Sequence, residues 1–285
     1  MRFLRFRNQE REGLAVADGQ EARGLYADDR RYPGNLAEVI DAGVGALGRA
    51  AGLLRSGEAV DMDAVEFLPP LGQTGKILCL GGNYLDHVKE VGLKVRAQPT
   101  VFARFPSSFV GHRGRLIRPR VSDQFDYEGE LVAVIGKRGR HIPEDKALEH
   151  VVGYSIFNDG SVRDYQIATP QWTVGKNFDA TGALGPFLVT ADEVPPGASG
   201  LRLRTRLNGQ VVQNASTSDM IYSVAATIAF LSQAMTLDPG DLLVMGTPPG
   251  VGMARKPKLY MKAGDLCEVE IEGIGALSNT VADEA

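Results

Sequence analysis

The stretch Asp126-Tyr127-Glu128-Gly129-Glu130, running straight into Leu131-Val132-Ala133-Val134-Ile135, constrains this chain more than any other. The apolar half is short, rich in β-branched residues and closed by Gly136, which is the pattern of a buried strand. A strand sends alternate side chains to one face, so Glu128 and Glu130 point the same way. Two carboxylates side by side at the mouth of a buried strand repel each other and are costly to remove from water. A hard divalent cation held between them resolves both difficulties, so the pattern points to a metal-dependent enzyme.

A third acidic candidate is Asp159, at the end of a strand that begins near Val151. The intervening residues are enough for the chain to go out and return beside the first strand. Glu128, Glu130 and Asp159, with water completing the shell, would make an octahedral Mg²⁺ or Mn²⁺ site. Asp159 stands before Gly160, so it also reads as a turn residue.

Length and charge narrow the class. The 285 residues allow one large domain or a main domain with a smaller partner. The net charge of -4 gives no reason to expect nucleic acid or an anionic membrane surface. No apolar run approaches the roughly 20 residues of a membrane span. The N-terminus, Met1 to Arg7, alternates like an edge strand and lacks a signal-peptide apolar core. Cys79 and Cys267 give neither a disulfide framework nor zinc spacing, so a reduced, cytoplasmic setting is expected. The 34 glycines suggest a loop-rich β architecture with tight turns.

Pro69-Pro70 followed by Gly72 marks a boundary. It divides a small N-terminal α/β domain, 1–72, from a catalytic domain, 73–285. The first part alternates short strand-like pieces with a weak helical stretch from Leu36 to Leu54. After it, Lys76 to Leu80 reads as a buried strand and the segment from Asp86 to Val91 as a short helix. Strands are also read at Leu116 to Pro119, Val151 to Phe157, Leu242 to Met245 and Leu266 to Glu272. Residues 144–150 read as a brief helix. The alternation of Leu201 to Leu207, then Asn208-Gly209, is a strong β-hairpin signal. Its arginine face reads as solvated sheet surface rather than an anion site. Val224, Ile228, Leu231 and Met235 fit an amphipathic helix with Ser223 as N-cap. Strands outnumber helices, so a mixed β core is expected rather than a doubly wound sheet.

Four polar segments flanked by glycine or ending strands add to the carboxylates. They are Gly82 to Glu90, Asp159 to Gln166, Gly175 to Asp179, and Gly246 to Gly252. In the second, Arg163 beside Asp164 is open to simple pairing. In the first, His87 and Glu90 sit three apart, on one side of a helical turn. A carboxylate beside imidazole raises its basicity and fixes its orientation, as a general base requires, although a surface ion pair has the same spacing.

This ordered set resembles the fumarylacetoacetate hydrolase family over about residues 73–281. The resemblance implies an α+β, β-rich fold: a mixed β-roll or barrel-like catalytic domain with a small N-terminal domain, in a homodimer using Mg²⁺ or Mn²⁺. It implies Glu128, Glu130 and Asp159 as metal ligands and His87 with Glu90 as the pair that activates water. Arg163, Gln166, Lys176 and Thr247 match positions lining the substrate site, and Lys176 would stabilise oxyanion charge. Where many members carry a lysine in a Lys-Pro segment, this chain has Arg104-Phe105-Pro106. Arg104 is thus expected to face a second carboxylate or to support the fold. Gly160-Ser161-Val162 also departs from the more usual Val-Ser-Ala.

The activity expected is hydrolysis of the C–C bond of an acylpyruvate, a 2,4-dioxo acid, to pyruvate and a carboxylic acid through a metal-stabilised enolate. Alternatives that share the enolate are decarboxylation of oxaloacetate or another β-keto acid, and isomerisation or hydration of unsaturated 2-oxo acids. A non-catalytic metal and 2-oxo-acid binder is disfavoured because both His87 and Lys176 are present. No Gly-x-Ser-x-Gly element supports a serine hydrolase, and Gly72 to Ile77 lacks the phosphate-loop spacing.

Overall fold

The structure is a computed structural model that describes residues 1–43, 45–72, 75–92 and 94–285. The expected boundary between 72 and 73 falls against Gln73 and Thr74, which lie outside the described residues. The chain opens with β1 (Arg2–Asn8), β2 (Arg11–Asp18) and β3 (Glu21–Tyr26). The weak helical stretch is two helices, α1 (Leu36–Asp41) and α2 (Ala46–Arg55), followed by β4 (Glu58–Ala59) and β5 (Glu66–Leu68). Then come β6 (Ile77–Gly81), α3 (Leu85–Glu90), β7 (Thr100–Ala103), β8 (Phe109–Val110), β9 (Leu116–Arg118), β10 (Phe125–Asp126) and β11 (Gly129–Ile135). The next elements are β12 (Val151–Asn158), β13 (Ser161–Val162), α4 (Arg163–Ile167), α5 (Thr173–Lys176) and β14 (Gly182–Thr190). The chain finishes with β15 (Arg202–Leu207), β16 (Gln210–Ser216), α6 (Val224–Ala234), β17 (Leu242–Val244), β18 (Leu266–Ile271) and β19 (Gly275–Asp283).

Two sheets carry the molecule. The larger follows the order β4-β3-β2-β1-β14-β12-β11-β17-β6-β7, with β5 and β8 joining from the side. The smaller has the order β16-β15-β18-β19-β9. The α+β, β-rich class expected from the sequence is what forms. "Barrel-like" is a loose description, because the main sheet runs from β4 to β7 without closing. The N-terminal strand is also not at an edge. β1 pairs with β2 along its whole length and with β5 and β14 on its other side. Phe3, Leu4 and Phe6 are accordingly buried. The alternation was that of a strand, but it could not say how many neighbours the strand has.

The long β14 has no clear sequence signal, because Pro186 interrupts it. In the structure Pro186 sits where the β12–β14 register shifts between Tyr154 and Ile156, so its missing N–H removes no regular ladder bond. The hairpin forms as read: β15 and β16 are joined by Asn208 and Gly209, both at positive φ (51° and 79°).

β11 places the site. All seven of its residues are buried. Leu131, Ala133 and Ile135 face one core, shared with α6 and the smaller sheet. Val132 and Val134 face another, shared with Cys79, Phe157 and the N-terminal helices. The strand therefore reads as a continuous apolar run because both faces are covered. Glu128 and Glu130 continue the face of Val132 and Val134 by the same two-residue alternation.

Candidate metal centre

β12 returns antiparallel to β11, with Gly129 opposite Asn158 and Glu130 opposite Phe157. Beyond that ladder the Asp159 N–H donates to the Glu128 carbonyl at 2.8 Å. The strand ends thus bring together the three carboxylates expected from the sequence. Oxygens of Glu128, Glu130 and Asp159 lie within 4.8 Å of one another, and all three residues are buried.

Each carboxylate has a different environment. Glu128 is buried, which pushes its pKa up, but Arg163 and Lys176 pull it further down, so it stays ionised. Its Oε1 is 2.7 Å from Arg163 Nη1 and its Oε2 accepts from Lys176 Nζ at 2.7 Å. Asp159 accepts from Lys176 Nζ at 2.5 Å and from Arg104 Nη1 at 2.6 Å. Glu130 accepts a backbone N–H, that of Gly246 at 2.6 Å. Burial, then the charges of Asp159 and Glu128, raise its pKa well above the usual carboxylate range. Gly246 takes φ +86°, a left-handed conformation that costs glycine little, and this aims its N–H at the carboxylate.

Arg104 resolves as a structural support that faces a carboxylate, that of Asp159. It is fully buried, and its guanidinium bonds Ser108 Oγ and O, Gly160 O and Thr181 Oγ1 as well as Asp159. Arg163 does not pair with Asp164, whose Oδ1 accepts from Ser122 Oγ at 2.7 Å. Arg163 Nε donates instead to Asp126 Oδ2 at 2.8 Å, and Nη1 donates to Gln166 Oε1 at 2.7 Å as well as reaching Glu128. Its Nη2 is buried without a partner. α4 turns Arg163 inward because the strand β13 ends immediately before it.

Asp126 was not singled out in the sequence, although its place two residues before Glu128 is a signal of the same alternation. It is fully buried and accepts from the N–H groups of Tyr127, Gly252 and Met253 besides Arg163. Four buried carboxylates (Asp126, Glu128, Glu130, Asp159) thus face three buried cations (Arg104, Arg163, Lys176), so full ionisation would leave one negative charge uncompensated, in keeping with the raised pKa of Glu130. A divalent cation fits this cluster: it would overcompensate by one charge, which a monoanionic ligand would balance.

His87 and Glu90 lie on α3 as expected, with Nδ1 2.9 Å from a Glu90 oxygen. Both Glu90 oxygens accept from the Gly250 N–H, at 2.9 and 3.0 Å, tying the dyad to the 246–252 segment. Thr247 Oγ1 donates to the Gly129 carbonyl at 3.0 Å and accepts from Gln213 Nε2. One cavity of about 230 Å³ is lined by His87, Glu128, Glu130, Arg163, Gln166, Lys176 and Thr247 together with apolar side chains. Of the nine residues expected at the site, Asp159 lies behind that lining and Glu90 meets it only by its contact with His87. His112, His141 and His150 stay away from it: His112 accepts from the Ser278 N–H, and His150 Nδ1 meets the Lys137 carbonyl. On the arginine face of β15, Arg206 pairs with Glu270 at 2.7 Å.

The family model described as fumarylacetoacetate (FAA) hydrolase C-terminal matches residues 76–282. A mitochondrial oxaloacetate tautomerase of Xenopus laevis is 40% identical over 288 residues, covering 99% of this chain and 90% of that protein. A solved fumarylacetoacetate hydrolase from Exiguobacterium antarcticum superposes with a TM-score of 0.86 at 36% identity, covering all of both chains. A 2-hydroxyhepta-2,4-diene-1,7-dioate isomerase from Mycobacterium marinum gives 0.77 at 31% identity, covering 100% of this chain and 99% of that one.

Proposed function

Because the chain belongs to the fumarylacetoacetate hydrolase family, we propose that it is a divalent-metal-dependent enzyme that moves a proton at C3 of a 2-oxo acid. The observation that carries this is a buried carboxylate triad, two of whose members line one cavity together with His87. Glu128, Glu130 and Asp159 would hold Mg²⁺ or Mn²⁺. The bound cation would act as a Lewis acid towards the carboxylate and 2-oxo group of the substrate.

The chain's own groups do the rest. Glu90 accepts from His87 Nδ1–H, which fixes the tautomer and leaves Nε2 as the base. Removal of a C3 proton by Nε2 sends the electron pair to the C2 oxygen. Lys176 has two N–H groups on Glu128 and Asp159, so a third remains to donate to that oxygen. Arg163 Nη2, in a lining shared with Gln166 and Thr247, would take a substrate carboxylate oxygen. Return of the proton from His87 to oxygen or carbon completes a keto–enol tautomerisation. The names of relatives such as the Xenopus protein support oxaloacetate as the first substrate to try. Decarboxylation of a β-keto acid and isomerisation of an unsaturated 2-oxo acid develop charge on the same oxygen.

Acylpyruvate hydrolysis is the second reading. The apolar wall of the cavity favours it, since oxaloacetate has no tail to meet that wall. There His87 would deprotonate water, and hydroxide would attack C4. The C3–C4 bond would then break to leave the pyruvate enolate and a carboxylic acid. The division into 1–72 and 73–285, the homodimer and the cytoplasmic setting belong to the same proposal. Among the described residues no helix is long and apolar enough to cross a membrane.

The test is exchange of the oxaloacetate C3 protons for deuterium, followed by NMR above the uncatalysed rate. Glu128→Ala and Asp159→Ala should lose Mn²⁺ binding in calorimetry. His87→Ala should keep the metal and lose about 10²–10⁴-fold in exchange rate. Full exchange by His87→Ala would discard the base, and undiminished Mn²⁺ affinity in the carboxylate variants would discard the metal centre.

A further inference from the structure

Around its charged groups the cavity is lined by the polar residues Gln166, Thr169 and Thr247, with the Thr169 hydroxyl turned to the Gln171 carbonyl, and much of the rest is apolar. Its remaining wall includes Leu80, Val91, Phe102, Ile167, Trp172 and Met253. Trp172 packs edge-on to Phe102 with ring centroids 5.5 Å apart, and lies flush against Gly81, where any Cβ would overlap the indole. Ile167 lines the cavity and is still 63% exposed, an apolar side chain whose outer face meets water until a ligand covers it.

The cations of the lining are largely engaged. Lys176 is held by Glu128 and Asp159, and Arg163 by Asp126, Glu128 and Gln166. Arg163 Nη2 and the third N–H of Lys176 are the donors left over, and both belong to side chains bonded to the carboxylates. One substrate carboxylate can be matched there. A second, farther out, would lose its hydration against Val91, Ile167 and Trp172 with no cation of the lining to replace it.

We propose that the site selects a 2-oxo acid whose chain beyond C4 is apolar and uncharged, held between Trp172, Phe102 and Ile167. This rests on the 2-oxo-acid reading above and adds the substrate's tail class to it. Each methylene moved from water onto such a wall is worth about fourfold in affinity.

The chain has one tryptophan, and it stands on this wall, so binding can be read without turnover. The probes are pyruvate, 2-oxohexanoate and 2-oxoadipate, the last two equal in carbon number and ending in methyl or carboxylate. Each is titrated into the Mg²⁺-loaded protein by tryptophan emission and by calorimetry. 2-Oxohexanoate should bind at least tenfold more tightly than 2-oxoadipate and shift the emission. Ile167→Arg, at an exposed position that tolerates charge, should move the ratio at least tenfold towards 2-oxoadipate. Equal or tighter binding of 2-oxoadipate by the unaltered protein overturns the apolar-tail inference and leaves the 2-oxo-acid reading standing. An unchanged ratio in Ile167→Arg, or binding without any change in emission, removes those side chains from the tail wall. Failure of all three acids to bind overturns the underlying reading instead.

Discussion

Replacing Glu130 by glutamine should make the metal-free protein more stable while abolishing metal binding. Glu130 is buried with one hydrogen bond, from Gly246, and shares a site with two other carboxylates no more than 4.8 Å away. At an effective dielectric of about 20, two unit charges at that separation repel by about 3.5 kcal/mol. Lys176 offsets part of this, but burial adds to it, so the ionised side chain is disfavoured in the ion-free protein. Glutamine keeps the shape and still accepts from Gly246, but carries no charge. In chelator its unfolding midpoint should rise over that of the unaltered protein, by about 2–4 °C for each kcal/mol of repulsion removed. On adding Mg²⁺ or Mn²⁺ the order should reverse, because binding to the folded state stabilises the parent in proportion to the logarithm of ion concentration. Calorimetric or fluorescence melts with and without chelator read both effects. A glutamine variant no more stable than its parent in chelator would refute the charge imbalance on which the metal centre rests.

Three further predictions test the surroundings of the site. Gly81→Ala should displace Trp172, red-shift its emission and cost about 1–3 kcal/mol in denaturant unfolding; an unmoved emission would contradict the close approach. Arg104→Lys keeps a positive charge for Asp159 but gives up the fork to Ser108 and Thr181, so a loss of about 1–3 kcal/mol is expected, and an equally stable variant would mean those bonds count for nothing. Burial, with Arg113 nearby, pushes the His112 pKa from 6.5 down to about 4, so the unfolded chain binds the extra proton between those values. Stability should therefore fall as pH drops from 6.5 towards 4, by about 2–3 kcal/mol from this group, and His112→Asn should flatten that limb of the pH–stability curve; coincident curves for the two proteins would sink the assignment.

What could be read from the chain, and what could not, follows from how far each interaction reaches along it. Glu128 and Glu130 were legible because two-residue alternation is local, and the hairpin at Asn208-Gly209 because turn chemistry is local. His87 and Glu90 were legible as one turn of helix. The compensating cations come from elsewhere: Arg104 reaches Asp159 across 55 positions and Lys176 reaches Glu128 across 48. No periodicity announces such pairs, which is why Arg163 could be matched with its neighbour Asp164 until the fold placed Asp126 and Glu128 against it. Asp126 shows the intermediate case. It shares the alternation of the two glutamates, yet its work is done through the backbone of Gly252 and Met253, more than a hundred positions on. Through Glu130 at Gly246 and Asp126 at Gly252, the 246–254 segment is held by the same carboxylate network that would hold the cation. A change at Asp126 should therefore disturb Arg163 and the cavity wall at Met253 together, and the uncoupling of those two effects in Asp126→Asn would show that the network is a set of independent contacts.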